Sequence, residues 1–207
     1  MSLPVPSELV GLCESVFGER MKLAETYADL LANEGIEWGL IGPRERDRIW
    51  ERHIVNSLCV VPLISRGRRV TDIGSGAGLP GVVLGIARPD LKIDLVEPMQ
   101  RRCDFLEMTV DILELTHVRV VRARAEEYQG HPNVVTCRAV SSVLGLVPMI
   151  APLLKRAELL AIKGERAEEE VQKAKMELVA YRLWAEVLKP SVCGETVGTV
   201  VRITSRK

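Results

Sequence analysis

The feature that most constrains the fold of this chain is a glycine-rich segment directly after a short β-branched run. Residues 69–74 read as a strand, and Gly74, Gly76 and Gly78 then alternate with other residues, with Gly81 following soon after. Glycines at this spacing let the backbone turn sharply, and a ligand can approach it closely because no Cβ stands in the way. The segment therefore predicts a strand–loop–helix unit whose loop binds a ligand.

From residue 69 onwards, strand-like runs alternate with helical periodicity, which is typical of a mostly parallel sheet covered on both faces. The last two strands are joined by a short loop at 191–196, so we expect them to be antiparallel. Predicted strands lie at 69–74, 92–97, 117–123, 133–140 and 158–163, then in the segments YRLWAEVLKP and TVVRITS, and predicted helices lie at 79–87, from Pro98 onwards, at 143–155 and after Gly164.

The first 64 residues have a different pattern and read as helix throughout. Apolar residues between Glu19 and Asn33 fall largely on one helical face, and a further helix is expected from Pro43, a residue suited to the first helical position. The sequence thus predicts two parts, an N-terminal helical extension over 1–64 and an α/β domain over 65–207.

Composition excludes several classes of protein. Hydrophobic residues make up 47% of the chain and charged residues 27%, which is enough to bury a core and too apolar for a disordered chain. No apolar run is long enough to span a membrane, and the start of the chain does not resemble a signal peptide. The five cysteines are an odd number without a C-x-x-C pair, so we expect free thiols in a reducing cytoplasm and neither a disulfide framework nor a cysteine-based zinc site. No three ligands share the spacing of a metal site, so we expect no metal.

Two ligands compete for the glycine loop. The spacing Gly76-x-Gly78-x-x-Gly81 fits a dinucleotide, whereas Gly74-x-Gly76-x-Gly78 fits S-adenosylmethionine. Asp72 favours the second ligand, because an anion before the loop would repel a pyrophosphate but could accept hydrogen bonds or attract the cationic sulfonium end of the methyl donor.

Two further segments would complete a nucleoside pocket. Glu97 ends the next strand, where a carboxylate can accept hydrogen bonds from both ribose hydroxyls, although NAD sites use the same device. Ala125 and Glu126 follow the third strand, where a backbone N–H and a carboxylate could recognise the adenine edge. This second pair favours S-adenosylmethionine as the ligand.

A series of short segments extends the pattern beyond the glycine loop. Arg52-His53-Ile54 with Ser57, the loop DIGSGAGLPG, the segments RAEEY and CRAV, and Ile162-Lys163-Gly164 occur in this order between about Trp38 and Gly164. In these residues the chain resembles the ribosomal RNA small-subunit methyltransferase G family, also called glucose-inhibited division protein B.

The resemblance implies a class I S-adenosylmethionine-dependent methyltransferase with a Rossmann-like, mostly parallel seven-stranded sheet and an antiparallel C-terminal strand. It also implies transfer of a methyl group from S-adenosylmethionine to N7 of a guanosine in small-subunit ribosomal RNA, leaving S-adenosylhomocysteine. By matching position, the family's cofactor residues fall on Gly74, Leu79, Ala125, Glu126 and Arg138.

The residues themselves agree with N7 chemistry without requiring it. The fourth strand lacks the Asn-Pro-Pro-aromatic turn of enzymes that methylate exocyclic amines, and Cys137 reads as a buried thiol rather than a nucleophile. The N7 lone pair of neutral guanine needs no general base. A methyltransferase acting on a non-RNA substrate and a non-catalytic nucleotide-binding regulatory protein both remain open on these grounds.

Two residues are candidates for a direct role in the reaction. Arg138 could bind the donor carboxylate or a substrate phosphate, or could form a salt bridge with Asp72 or a glutamate. His53 could stack on or hydrogen-bond the guanine, or could be an ordinary polar-face histidine. Expected RNA contacts are Arg52, His53, Arg66, Arg68, Arg69 and Lys163. We expect a monomer that binds ribosomal RNA or an assembling ribosomal particle, with no membrane contact.

Overall fold

The computed structural model describes residues 3–205 and contains one seven-stranded sheet in the order β3-β2-β1-β4-β5-β9-β6. The first five strands in this order (β3, β2, β1, β4 and β5) are parallel to one another. Strand β9 is antiparallel to both of its neighbours, β5 and β6, as the sequence predicted. The strands are β1 Arg69–Ile73, β2 Lys92–Val96, β3 Val118–Val121, β4 Val134–Arg138, β5 Glu158–Lys163, β6 Leu183–Leu188, β7 Ser191–Val192, β8 Glu195–Thr196 and β9 Thr199–Ser205.

Helices cover both faces of the sheet. The α-helices are α1 Val10–Phe17, α2 Met21–Ala32, α3 Glu34–Glu37, α4 Gly81–Ala87, α5 Gln100–Ile112, α6 Val143–Ile150, α7 Ala167–Lys173 and α8 Lys175–Ala180. A 3₁₀ helix at Pro43–Arg48, a π-helix at Ile49–Val55 and a 3₁₀ helix at Leu58–Leu63 lead into β1. None of the helices in residues 3–205 is long and apolar enough to cross a membrane.

Several local predictions differ from the structure. The helix after the glycine loop begins at Gly81, with Pro80 as its N-cap rather than an inner residue. The helix expected over 143–155 ends at Ile150, and Pro152 follows, whose missing N–H cannot continue the helical hydrogen bonds. The loop at 191–196 forms the small hairpin β7–β8 instead of an irregular connection.

The N-terminal helices share one hydrophobic core with the sheet. Tyr27 and Trp50 from this part of the chain are buried in the same cluster as Val82 of α4 and Leu95 of β2. A second cluster lies on the other face, where α6, α7 and α8 pack against the sheet. The extension predicted over 1–64 is therefore joined to the α/β part by continuous packing.

Candidate functional site

The glycine loop lies at the carboxyl end of β1 and has a backbone conformation that favours glycine at three positions. Gly74, Gly76 and Gly78 have φ values of +66°, +59° and +99°, in the left-handed region that side chains disfavour. A Cβ on Gly74 would lie 2.7 Å from Cγ2 of Val140, and one on Gly78 would lie 2.5 Å from Cγ2 of Val82. The loop therefore packs closely against the side chains of Val140 and Val82.

Asp72 supports this loop from inside the protein. Its fully buried carboxylate accepts hydrogen bonds from Oγ1 of Thr136 at 2.8 Å and from the N–H of Gly81 at 3.2 Å. Burial raises the pKa of Asp72 to about 6, against the lowering effect of these bonds. The carboxylate lines none of the clefts described below, so the structure does not place it against a donor sulfonium; it fixes the start of α4.

Glu97 and the residues after β3 line one cleft beside the loop. This cleft of about 300 Å³ brings Glu97 together with Gly74, Ala125 and Glu126, as expected from parallel strands that end at one edge. The Glu97 side chain is almost fully buried, and its two oxygens accept hydrogen bonds from the N–H groups of Gly76 and Met99, both at 3.0 Å. Glu97 thus orders the loop in addition to facing the cleft.

A second cleft continues around the loop towards the N-terminal helices. It has a volume of about 230 Å³, is lined by Gly76, Leu79, His53 and Arg138, and shares Gly74 with the first cleft. The predicted cofactor residues therefore lie along one continuous depression, apart from Asp72 and Gly78, which line neither cleft.

Sequence reasoning missed Tyr27, which supports the loop from helix α2. The Tyr27 side chain is fully buried, and its hydroxyl donates a hydrogen bond to the carbonyl oxygen of Ala77 at 2.8 Å. Burial raises the pKa of Tyr27 far above its usual range, so the hydroxyl stays a donor. One signal was available: this is one of only three tyrosines in the chain, on an otherwise aliphatic helix face.

Arg138 at the end of β4 is a largely buried cation that faces the second cleft. Its guanidinium donates to the carbonyl oxygen of Arg52 at 3.0 Å and to Nδ1 of His53 at 2.8 Å. Burial lowers the pKa of Arg138. Among the ion pairs formed within residues 3–205, none includes Arg138, so the salt bridge considered from the sequence is not formed.

His53 is placed beside Arg138 by the π-helix. Its Nδ1 accepts from Arg138, which leaves the proton on Nε2, and Nε2 lies 3.3 Å from Oε2 of Glu45 without good hydrogen-bond geometry. Burial, followed by the charge of Arg138, lowers the pKa of His53 to about 4. The imidazole is therefore neutral near pH 7, and its lone pair is already engaged.

A third, larger cleft of about 770 Å³ opens next to these two residues and is also lined by Arg52 and Lys163. Both cations have partners: Arg52 pairs with Glu45 at 2.9 Å, and Lys163 pairs with Glu170 at 2.9 Å. The cleft is therefore lined by ion pairs, which an anionic ligand could exchange for its own contacts, and by Arg138, which forms no ion pair within residues 3–205.

Ala139 lies where all three clefts meet. Its φ of +55° is unusual for a residue with a Cβ and turns the chain away from β4 immediately after Arg138. Because of this turn, the carboxyl end of β4 faces the clefts on both sides of Ala139.

The structure does not bring the cluster of Arg66, Arg68 and Arg69 to this site. Arg69 begins β1, whereas the glycine loop follows the last residue of that strand. At about 3.3 Å per residue, the cluster is roughly 16 Å away along the strand. The sequence placed these residues beside the glycine strand, which is correct, but at its opposite end from the loop.

Comparison with known proteins identifies the family. The family model described as rRNA small subunit methyltransferase G matches residues 20–192. The chain belongs to this family. A relative from Thermobifida fusca (strain YX) named ribosomal RNA small subunit methyltransferase G is 48% identical over 207 residues, covering 97% of this chain and 85% of that protein. A second one so named, from Mycolicibacterium smegmatis, is 50% identical over 177 residues, covering 83% of this chain and 74% of that protein.

A solved structure independently supports the fold. A precorrin-6y C5,15-methyltransferase from Geobacter metallireducens GS-15 aligns with a TM-score of 0.54 at 18% identity, covering 82% of this chain and 91% of that chain. The family membership and this likeness agree with the class I methyltransferase fold predicted from the sequence. No group of three or more metal-ligating side chains occurs in the part of the chain that the structure describes.

Proposed function

We propose that this protein transfers a methyl group from S-adenosylmethionine to N7 of a guanosine in small-subunit ribosomal RNA. The observation that carries the proposal is the junction at Arg138, where the clefts around the glycine loop meet the larger cleft beside the π-helix. A donor and an acceptor could meet there in a chain of this family.

The residues along the loop fit the donor. S-adenosylmethionine supplies an electrophilic methyl group on a sulfonium. The glycine loop leaves room for a ligand against its backbone, and Glu97 offers oxygens with further lone pairs for ribose hydroxyls. Ala125 and Glu126 offer a backbone N–H and a carboxylate for the adenine edge, and Arg138 has no carboxylate partner within residues 3–205, which suits the donor's own carboxylate.

The state of the side chains near the junction favours a nucleophile that needs no base. The His53 lone pair accepts from Arg138, and Asp72 is enclosed by its own partners. Cys137 is buried, and burial raises the pKa of its thiol to about 12. None of these groups is set up to remove a proton, and guanine N7 carries a free lone pair. Orientation of the two reactants would then supply most of the catalysis.

The geometry of N7 also limits which guanosine can react. N7 lies on the major-groove edge, and in A-form RNA this groove is deep and too narrow for a protein domain. We therefore propose a target in a loop or flipped from its stack, held in the large cleft near His53 and Arg52. Lys163 would contact the same RNA after release from Glu170.

The test is methylation of two matched RNAs that carry the same small-subunit guanosine in a loop or in a perfect duplex. Mass analysis should find 7-methylguanosine in the loop RNA and little in the duplex. Equal rates on both would refute the cleft model, and a different methylated nucleoside would refute N7 transfer. Calorimetry should detect binding of S-adenosylmethionine and not of NAD; the reverse result would favour a nucleotide-binding regulatory protein.

A further inference from the structure

A separate cavity lies at the amino end of the strands, on the opposite edge of the sheet from the glycine loop. It has a volume of about 380 Å³ and is floored by β1, β2 and β3. Residues that face it include Arg69 on β1, Lys92 on β2, Arg119 on β3, and Tyr128 and His131 in the following connection. None of these residues lines the clefts described above.

The cavity exists because the connection between β3 and β4 leaves this part of the sheet uncovered. Residues 122–133 contain turns and no helix, whereas α4 and α5 connect the strands before them. The strands carry polar side chains in this region. Thr71, Asp94 and Arg119 are neighbours in register, and Arg69 lies opposite Lys92. Strands of a parallel sheet are ordinarily apolar on both faces, so this polar row, in which Thr71 is buried while Arg69, Lys92 and Arg119 are exposed, departs from the usual pattern.

The charges in the cavity leave two cations without a counter-ion. Asp94 is the anion on its floor, and it is already engaged by two hydrogen bonds from Arg119, at 3.0 and 2.8 Å, and by the hydroxyl of Tyr128. The side chains of Arg69 and Lys92 form no ion pair with any residue in the described range 3–205. Like charges directly opposite each other on a sheet are destabilising, and an anion between them would remove this cost.

We propose that this cavity binds a backbone phosphate of the RNA substrate between Arg69 and Lys92. The inference rests on the proposed function and extends it to a second contact region. Arg66 and Arg68 precede Arg69 on the same exposed edge and would extend the contact along the backbone. The Tyr128 hydroxyl, held by Thr71 and Asp94, closes one wall of the cavity.

The position of the cavity limits which RNA can be a substrate. A strand length of roughly 16 Å separates it from the methyl-transfer site. A single nucleotide cannot reach both places, so the second contact selects RNA that is long enough, and folded suitably, to pass along the protein from one edge of the sheet to the other.

The experiment measures RNA affinity against salt concentration for the double variant Arg69→Gln/Lys92→Gln. Loss of this one phosphate contact should flatten the log–log salt slope by about 0.7 to 0.9 units and weaken binding severalfold near 0.1 M salt. The matched control is Lys173→Gln/Lys175→Gln, which removes the same charge from exposed positions on α7 and α8 and should leave the slope near that of the wild type. Calorimetry should give unchanged affinity for S-adenosylmethionine in both variants.

The outcomes separate this proposal from the proposed function. A wild-type slope in the Arg69→Gln/Lys92→Gln variant, with methylation intact, would overturn the cavity alone. Failure of the wild-type protein to methylate any small-subunit RNA would overturn the proposed function. Inorganic pyrophosphate tests for a free ligand. The decisive result would be a higher melting temperature for the wild type but not for the double variant, together with an unaltered salt slope of RNA binding. The cavity would then bind a free phosphate compound, and its assignment to RNA would be wrong.

Discussion

The hydroxyl of Tyr27 donates a hydrogen bond to the carbonyl oxygen of Ala77 at 2.8 Å, across 50 residues of sequence. This bond joins helix α2 to the middle of the glycine loop, and a Cβ on the neighbouring Gly78 would lie only 2.9 Å from the same hydroxyl. The N-terminal helices therefore fix the shape of the loop as well as covering the sheet.

Tyr27→Phe should weaken both the fold and the binding of S-adenosylmethionine. The change leaves the nearly buried Ala77 carbonyl without its partner, which costs about 1–3 kcal/mol of unfolding free energy. Denaturant unfolding measures this cost, and calorimetry should show a severalfold loss of donor affinity. Tyr181→Phe, at an exposed position, is the control and should behave as wild type. Loss of stability with unaltered donor affinity would restrict Tyr27 to a purely structural role.

Gly74→Ala should reduce donor binding much more than Gly67→Ala. Both glycines have a positive φ, of +66° and +70°, so alanine is strained by about 1–2 kcal/mol at either position. Only at Gly74 would the new Cβ also meet a neighbour, Val140 at 2.7 Å, whereas the space around Gly67 is open. Unfolding and calorimetry of the two variants separate strain from displacement of the loop. Equal donor affinities would show that the loop tolerates a Cβ beside Val140.

Glu97→Ala should abolish or severely weaken donor binding in a chain that still folds. The change removes an acceptor for ribose hydroxyls, worth ~1–3 kcal/mol, and also frees the N–H groups of Gly76 and Met99. Calorimetry with S-adenosylmethionine is the measurement. Glu107→Ala, at an exposed position of α5, is the matched control. Wild-type affinity in Glu97→Ala would remove Glu97 from the donor site.

His53→Asn should remove a loss of stability that the wild type suffers in mild acid. The pKa of His53 is about 4 in the folded protein and about 6.5 when unfolded, so the unfolded chain binds the extra proton first. Stability from the neutral imidazole is complete above pH 6.5 and declines as the pH falls towards 4, by at most about 3 kcal/mol. The asparagine oxygen can still accept from Arg138.

The measurement is the free energy of unfolding of both proteins between pH 4 and 8. The difference between them should be constant above pH 7 and should shift in favour of the variant below pH 6.5. The effect of Asp72 on stability has the opposite pH dependence. Because its pKa is raised to about 6 in the folded protein, its contribution to the free energy of unfolding is lost as the pH rises from about 3.8 to 6. This contribution is common to both proteins and cancels in the difference. Parallel profiles would contradict the position assigned to His53.

The strands of the central sheet could be predicted closely from the sequence because each depends on a local pattern. Strand β5 has the predicted bounds, 158–163. Strand β4 was expected to reach residue 140 but ends at Arg138, because Ala139 adopts a positive φ that apolar patterning does not reveal. Helix α6 was predicted too long for a similar reason, since periodicity continues past the point where Pro152 prevents a regular helix.

For the candidate site, the sequence predicted the types of residues better than the contacts between them. Glu97, Ala125 and Glu126 meet at one cleft because strand ends in a parallel sheet must converge. The bond between His53 and Arg138 joins residues 85 apart, and no local pattern specifies such a pair. Asp72 was assigned to the ligand because its position before the loop does not reveal that its side chain points inwards.

The core shared by the two parts of the chain also determines when the protein can fold during synthesis. Tyr27 and Trp50 are translated early, yet their partners Val82 and Leu95 belong to segments that come later. At about 5–20 residues per second, the apolar faces of the N-terminal helices remain uncovered for a few seconds after residue 64 leaves the ribosome. The newly made chain therefore passes through a period in which its N-terminal helices have only one another to pack against.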